Sequence, residues 1–109
     1  MDIRTTLTKL IIVSIPFLMT EQALAANPTA KAKFACRGGK SIMAAFYSDS
    51  VKLKLSDGRN LTLPQAMSGS GARYANADES IVFWNKGDTA FITEGSATKE
   101  TYSGCVVAK

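Results

Sequence analysis

Histidine is absent from all 109 positions. That excludes a Ser-His-Asp or Cys-His nucleophile, an imidazole metal site and the side chain that most often moves protons near neutral pH. Cysteine is almost as scarce, with Cys36 and Cys105 the two present. They lack the CxxC spacing and the supporting ligands of a redox or metal-binding pair. Long apolar runs are lacking too, apart from the ten mostly apolar residues Leu10 to Met19. Ten residues of helix span about 15 Å, half of a bilayer's hydrocarbon core, so no transmembrane anchor is expected. What is present is ordinary for a folded domain: 46% hydrophobic and 20% charged residues, with Trp, Tyr and Phe, which excludes a disordered tail.

The apolar run follows the basic residues Arg4 and Lys9 and precedes Ala23-Leu24-Ala25. A basic start, a short apolar core and a small-x-small end are the marks of a signal peptide. Residues 1–25 are therefore expected to be removed before Ala26; the other reading of the run is a buried N-terminal helix. No cysteine lies near that cut, so the thiol on which a lipid anchor is built is missing. The segment carries Arg4, Lys9, Asp2 and Glu21, two of each sign, so the net charge of +4 survives its loss. About 84 residues remain, enough for one small domain. In an oxidising compartment Cys36 and Cys105 are most economically one disulfide joining the start of that domain to its end.

Asn27 to Lys33 is polar and Ala-rich and holds a proline, so residues 26–33 read as a short flexible leader ahead of a domain over 34–109. From Phe34 onward the period is two. Ser41 to Tyr47 is one strand candidate. Val51, Leu53 and Leu55 alternate with Lys52 and Lys54, Asp57-Gly58 calls for a two-residue primed turn, and Leu61 and Leu63 resume the alternation until Pro64 closes the strand. Gln65 to Met67 is at most one helical turn. Ser80 to Trp84 and Asp88 to Thr93 flank a turn at Asn85-Lys86-Gly87, Gly95 to Thr98 turns again, and a last strand runs from about Thr101 to Val107. Six to eight short strands with little helix imply an antiparallel barrel or sandwich.

Little in this pattern resembles catalytic machinery. Asp49, Asp57, Asp78, Glu79, Asp88, Glu94 and Glu100 mostly sit in or beside turns, where a solvated surface is their expected role. Nothing interleaves aromatics with Lys52 and Lys54 as single-stranded nucleic-acid binding would prefer, so no nucleic-acid partner is expected. Ser68-Gly69-Ser70-Gly71 reads either as a flexible connector or as a loop thin enough to enter another protein's cleft with a Ser hydroxyl at its tip. Lys86 is a turn lysine, and Tyr74 and Trp84 read as core or barrel-rim residues.

Five segments taken in order resemble one family. They are Phe34-Ala35-Cys36 followed by glycine, the Asp57-Gly58 hairpin, Ser70-Gly71-Ala72-Arg73-Tyr74, Phe83-Trp84-Asn85-Lys86-Gly87-Asp88 and Tyr102-Ser103-Gly104-Cys105. Together they resemble the MliC/PliC family of bacterial inhibitors of C-type lysozyme, over about Phe34 to Cys105. The resemblance implies an antiparallel β-barrel of about eight strands, stapled by a disulfide, that binds C-type lysozyme without turnover, cofactor or metal. It also implies that Ser70 and Gly71, on a loop that plugs the lysozyme cleft, and Lys86 of the WNKGD turn form the binding site, with Tyr74 supporting the loop. Without the lipid-anchoring cysteine the chain looks like the periplasmic type, a monomer or homodimer with no stable membrane anchor. C-type lysozymes are typically basic, so the +4 charge gives no long-range steering and affinity must come from local contacts. The alternative is a glycan- or peptidoglycan-binding module using Trp84, Tyr74 and basic residues.

Overall fold

The computed structural model describes residues 27–95 and 99–108. The expected signal segment and most of the expected turn at 95–98 lie outside the described residues. Eight strands follow one another: β1 Ala30–Ala35, β2 Ser41–Phe46, β3 Ser50–Leu55, β4 Asn60–Ala66, β5 Ala72–Ala75, β6 Ile81–Lys86, β7 Thr89–Glu94 and β8 Lys99–Val107. Each pairs antiparallel with its neighbours in sequence, and Phe34 and Ala35 of β1 meet Val107 and Val106 of β8 to close the barrel. Of the two architectures open to the strand pattern, the chain adopts the barrel. Closure leaves no edge strand to template aggregation.

Alternation decides which side of each strand is buried. Val51, Leu53 and Leu55 point into the barrel while Lys52 and Lys54 stay in water. Phe34, Ile42, Val51, Phe83 and Ile92 are at most 1% exposed. Phe34 meets Phe83 edge-on with ring centroids 6.2 Å apart, and Phe46 and Tyr74 complete the aromatic centre. Burying each large apolar side chain contributes about 1.5–3 kcal/mol, less the entropy of ordering it. The expected bond between Cys36 and Cys105 is formed, across 69 positions of chain.

Three local expectations need correction. The leader is shorter than its composition suggests, because β1 starts at Ala30 and residues 30–33 pair with Phe46 to Met43. Lys31 and Lys33 are the wet positions of that strand, and Ala32 on the other face is too small to display the alternation. The β3–β4 connection is a three-residue loop rather than a two-residue primed turn. Arg59 stays in the ladder, its carbonyl accepting from Leu55 N at 2.9 Å. Gly58 alone takes a positive φ, +99°, as in a type I turn followed by a left-handed glycine. Finally, β4 does not stop at Pro64. The proline stands opposite Ser50, the first residue of β3, where its missing donor costs little. Gln65 and Ala66 then carry on as strand by pairing with Tyr74 and Arg73 of β5 instead of forming a helical turn.

Candidate functional site

Hairpins of an up-and-down barrel alternate between its two ends. The β2–β3 turn, the β4–β5 loop over residues 67–71 and the two-residue β6–β7 turn at Gly87 and Asp88 therefore share one end. That end carries Ser70, Gly71 and Lys86.

Gly71 joins the loop to the turn. Its φ is +73°, a conformation in which a side chain is strained. A Cβ at this position would stand 2.9 Å from the Asn85 carbonyl oxygen and 3.3 Å from Lys86 Cβ. The pairing of Ala72 with Asn85 sets up that approach, so the loop backbone lies directly on the strand end that carries Lys86. Each partner is also held from within. Ser68 Oγ donates to the Ser70 carbonyl at 2.7 Å. Asn85 Nδ2 donates to the carbonyls of Gly87 and Thr89 at 3.2 and 3.0 Å, and Thr89 Oγ1 donates to that of Lys86 at 2.9 Å. Ser70 and Lys86 are exposed and both line a shallow groove of about 220 Å³ with Trp84 and Phe91.

Tyr74 occupies a different place. It is 6% exposed, with its ring about 6.1 Å from those of Phe46 and Phe83, and burial pushes its phenol pKa up. It is part of the core beneath the loop and has almost no surface left for a partner to touch. Tyr74 therefore lies under the loop rather than on the surface that the loop presents.

Two features escaped the sequence. Met67 opens the β4–β5 loop and, at 91%, is the most exposed large apolar side chain among the described residues. Trp84 is paired across the β6–β7 ladder with Phe91, outside the barrel, and their rings stack at 6.0 Å with an interplanar angle of 18°. The Arg73 guanidinium covers the Trp84 ring at 5.5 Å from its centroid. Strand parity was the available signal: with only Gly87 and Asp88 in the turn, Trp84 must face Phe91, and both alternate with the buried Phe83 and Ile92.

Ser70 supplies a hydroxyl that donates and accepts, Lys86 supplies three charge-assisted donors, and Met67 supplies an adaptable apolar tip. Such a set can donate to carboxyl groups and cover an apolar surface. Among the described residues, no three His, Cys, Asp or Glu side chains converge as metal ligands would, and Ser70 Oγ shares no hydrogen bond with a side-chain base.

A protein family described as membrane-bound lysozyme-inhibitor of c-type lysozyme matches residues 34–101 of the chain. A Yersinia enterocolitica protein (serotype O:8, biotype 1B) named membrane-bound lysozyme inhibitor of C-type lysozyme is 45% identical over 60 residues, 54% of this chain. The alignment spans 49%, about half, of that relative's length. No solved structure gives a significant match.

Proposed function

The chain belongs to the family of membrane-bound lysozyme inhibitors of C-type lysozyme, and from that premise we propose that it inhibits a C-type lysozyme by occupying its active-site cleft. The observation that supports the reading is the close approach of Gly71 to the Asn85 carbonyl and Lys86, which sets the Ser70 loop against the Lys86 turn. Lysozyme works with two carboxyl groups, one protonated as general acid and one ionised. The Lys86 ammonium suits the ionised one, and the Ser70 hydroxyl suits either. Because these side chains need only fill the cleft and satisfy its carboxyls, the protein competes with substrate and turns nothing over. A chain exported to the periplasm, with residues 1–25 as its signal, would meet host lysozyme at the wall it protects.

The test is lysis of bacterial cell walls by a C-type lysozyme, titrated with the purified protein. Loss of lysis near equimolar protein is the expected result. Undiminished lysis with the Cys36–Cys105 bond intact would overturn the reading. One observation favours a second reading: the half-buried Trp84–Phe91 stack borders a groove of about 760 Å³ that also contains Arg73, Glu79 and Glu100, a mixture of aromatic and polar groups of the kind that lines sugar sites. Binding to purified sacculi without any effect on lysozyme would favour that glycan-binding module instead.

A further inference from the structure

Pairing places four lysines together on the outer wall of β1 to β4, away from the site described above. Lys31, Ala45, Lys52 and Thr62 form one cross-strand row, and Lys33, Met43, Lys54 and Asn60 form the next. Successive outward positions on a strand are about 7 Å apart, and β1 and β3 are two inter-strand spacings, about 10 Å, apart. The four ammonium stems therefore start from the corners of a patch roughly that size. No carboxylate occurs anywhere in β1 to β4, and none of the four lysines has an ion-pair partner among the described residues. Between Lys33 and Lys54, Met43 is 52% exposed, with Ala45 next to it on the same face, and an open depression of about 500 Å³ runs along this wall.

We infer that this wall docks on an anionic phospholipid surface, with the four lysines on headgroup phosphates and the Met43 side chain at the acyl boundary. Charge complementarity selects an anionic partner. Met43 selects a bilayer over a soluble polyanion, because a polyanion gains nothing from an exposed thioether at the centre of the charges, whereas a bilayer buries it. The attachment is reversible and electrostatic, and it resides in the folded barrel. In a closed eight-stranded barrel β2 and β3 lie across from β6 and β7. A molecule lying on its β1–β4 wall thus turns the β6–β7 wall, with its Trp84–Phe91 stack, away from the membrane. The inference does not depend on the inhibitor reading and stands or falls by its own experiment.

Flotation of the exported, purified protein with phosphatidylcholine vesicles, with and without phosphatidylglycerol, tests it. Binding is expected only to the anionic vesicles and should fade as salt is raised. Each lysine near the surface is worth about fivefold in partitioning. Lys33→Gln with Lys54→Gln should therefore lose roughly 25-fold, while the charge-matched control Lys40→Gln with Lys99→Gln should change much less. Met43→Ser should weaken binding several-fold at unchanged charge, and circular dichroism should show all variants folded. Equal binding to neutral vesicles, equal loss in the two double variants, or unaltered binding by Met43→Ser would each overturn the proposal. The last result together with tight binding of dextran sulfate would assign the wall to a soluble polyanion.

Discussion

Individual side chains carry the proposed inhibition, and they can be separated by what they leave behind. Removing Lys86 would strand a lysozyme carboxylate in a closed cleft. Lys86→Ala is therefore expected to cost about 2–5 kcal/mol of binding, most of it from the unpaired partner. Ser70→Ala removes one hydrogen bond and should cost about 1–3 kcal/mol. Titrating lysis with each variant measures both, and two variants as potent as the parent would show that the site lies elsewhere on the barrel. Both candidates come from the sequence, where the SGxxY and WNKGD patterns mark them. Met67 is not marked there, since exposure of an apolar residue belongs to the folded loop and has no local sequence signal.

At the scale of elements, the glycine and the hairpin tips decide how the barrel end is built. Gly71→Ala puts a methyl group against the Asn85 carbonyl in a left-handed conformation. About 1–2 kcal/mol of stability should be lost, and inhibition should weaken because the Ser70 loop must lift from the Lys86 turn. A melting curve read alongside the lysis titration checks both, and an unchanged titration would separate the loop contact from the binding surface. The opposite hairpin tip has its own lock. Arg59 Nη1 and Nη2 donate to the two Glu94 oxygens at 2.9 Å each, Arg59 Nε donates to Asp57 at 2.9 Å, and Thr101 Oγ1 also donates to Glu94. Those bonds, Arg59's first, hold the Glu94 carboxyl below its usual 4.5. The folded state then resists taking up a proton that the unfolded chain accepts. The contribution is complete above about pH 4.5 and is lost as pH falls through the lowered folded value. Asp57, held down chiefly by the Arg59 backbone N–H, shifts in the same direction. The melting temperature should thus fall on acidification below about pH 4.5, and Glu94→Gln should flatten that slope. Sequence could not supply this lock, because 35 positions separate its two ends and only barrel closure brings the β3–β4 tip to β7.

For the whole molecule, the Cys36–Cys105 bond and the net charge matter most. Closing a loop of about 70 residues removes unfolded-state entropy worth roughly 4 kcal/mol on the chain-entropy model. Reduction should accordingly lower the melting temperature by some 15–30 °C in a domain of this size, and an unchanged melting point would show that the bond contributes nothing. Against the proposed partner, a basic lysozyme, the +4 charge gives no steering, so the association rate should hold steady or rise with salt. A steep fall would mean that the local Lys86 contact outweighs the repulsion of the two molecules. The amino-acid sequence by itself determined the β class, the cysteine pair, the Asn85-Lys86-Gly87 turn and the family, because period-two alternation, glycines and short motifs are local and survive in one dimension. Only the tertiary structure decided that the sheet closes into a barrel and that Gly71 rests on Asn85 and Lys86. It also decided that Trp84 stacks outside on Phe91 and that Lys31, Lys33, Lys52 and Lys54 share one wall. Each of these is a matter of strand register and closure, which bring together residues that the chain keeps far apart.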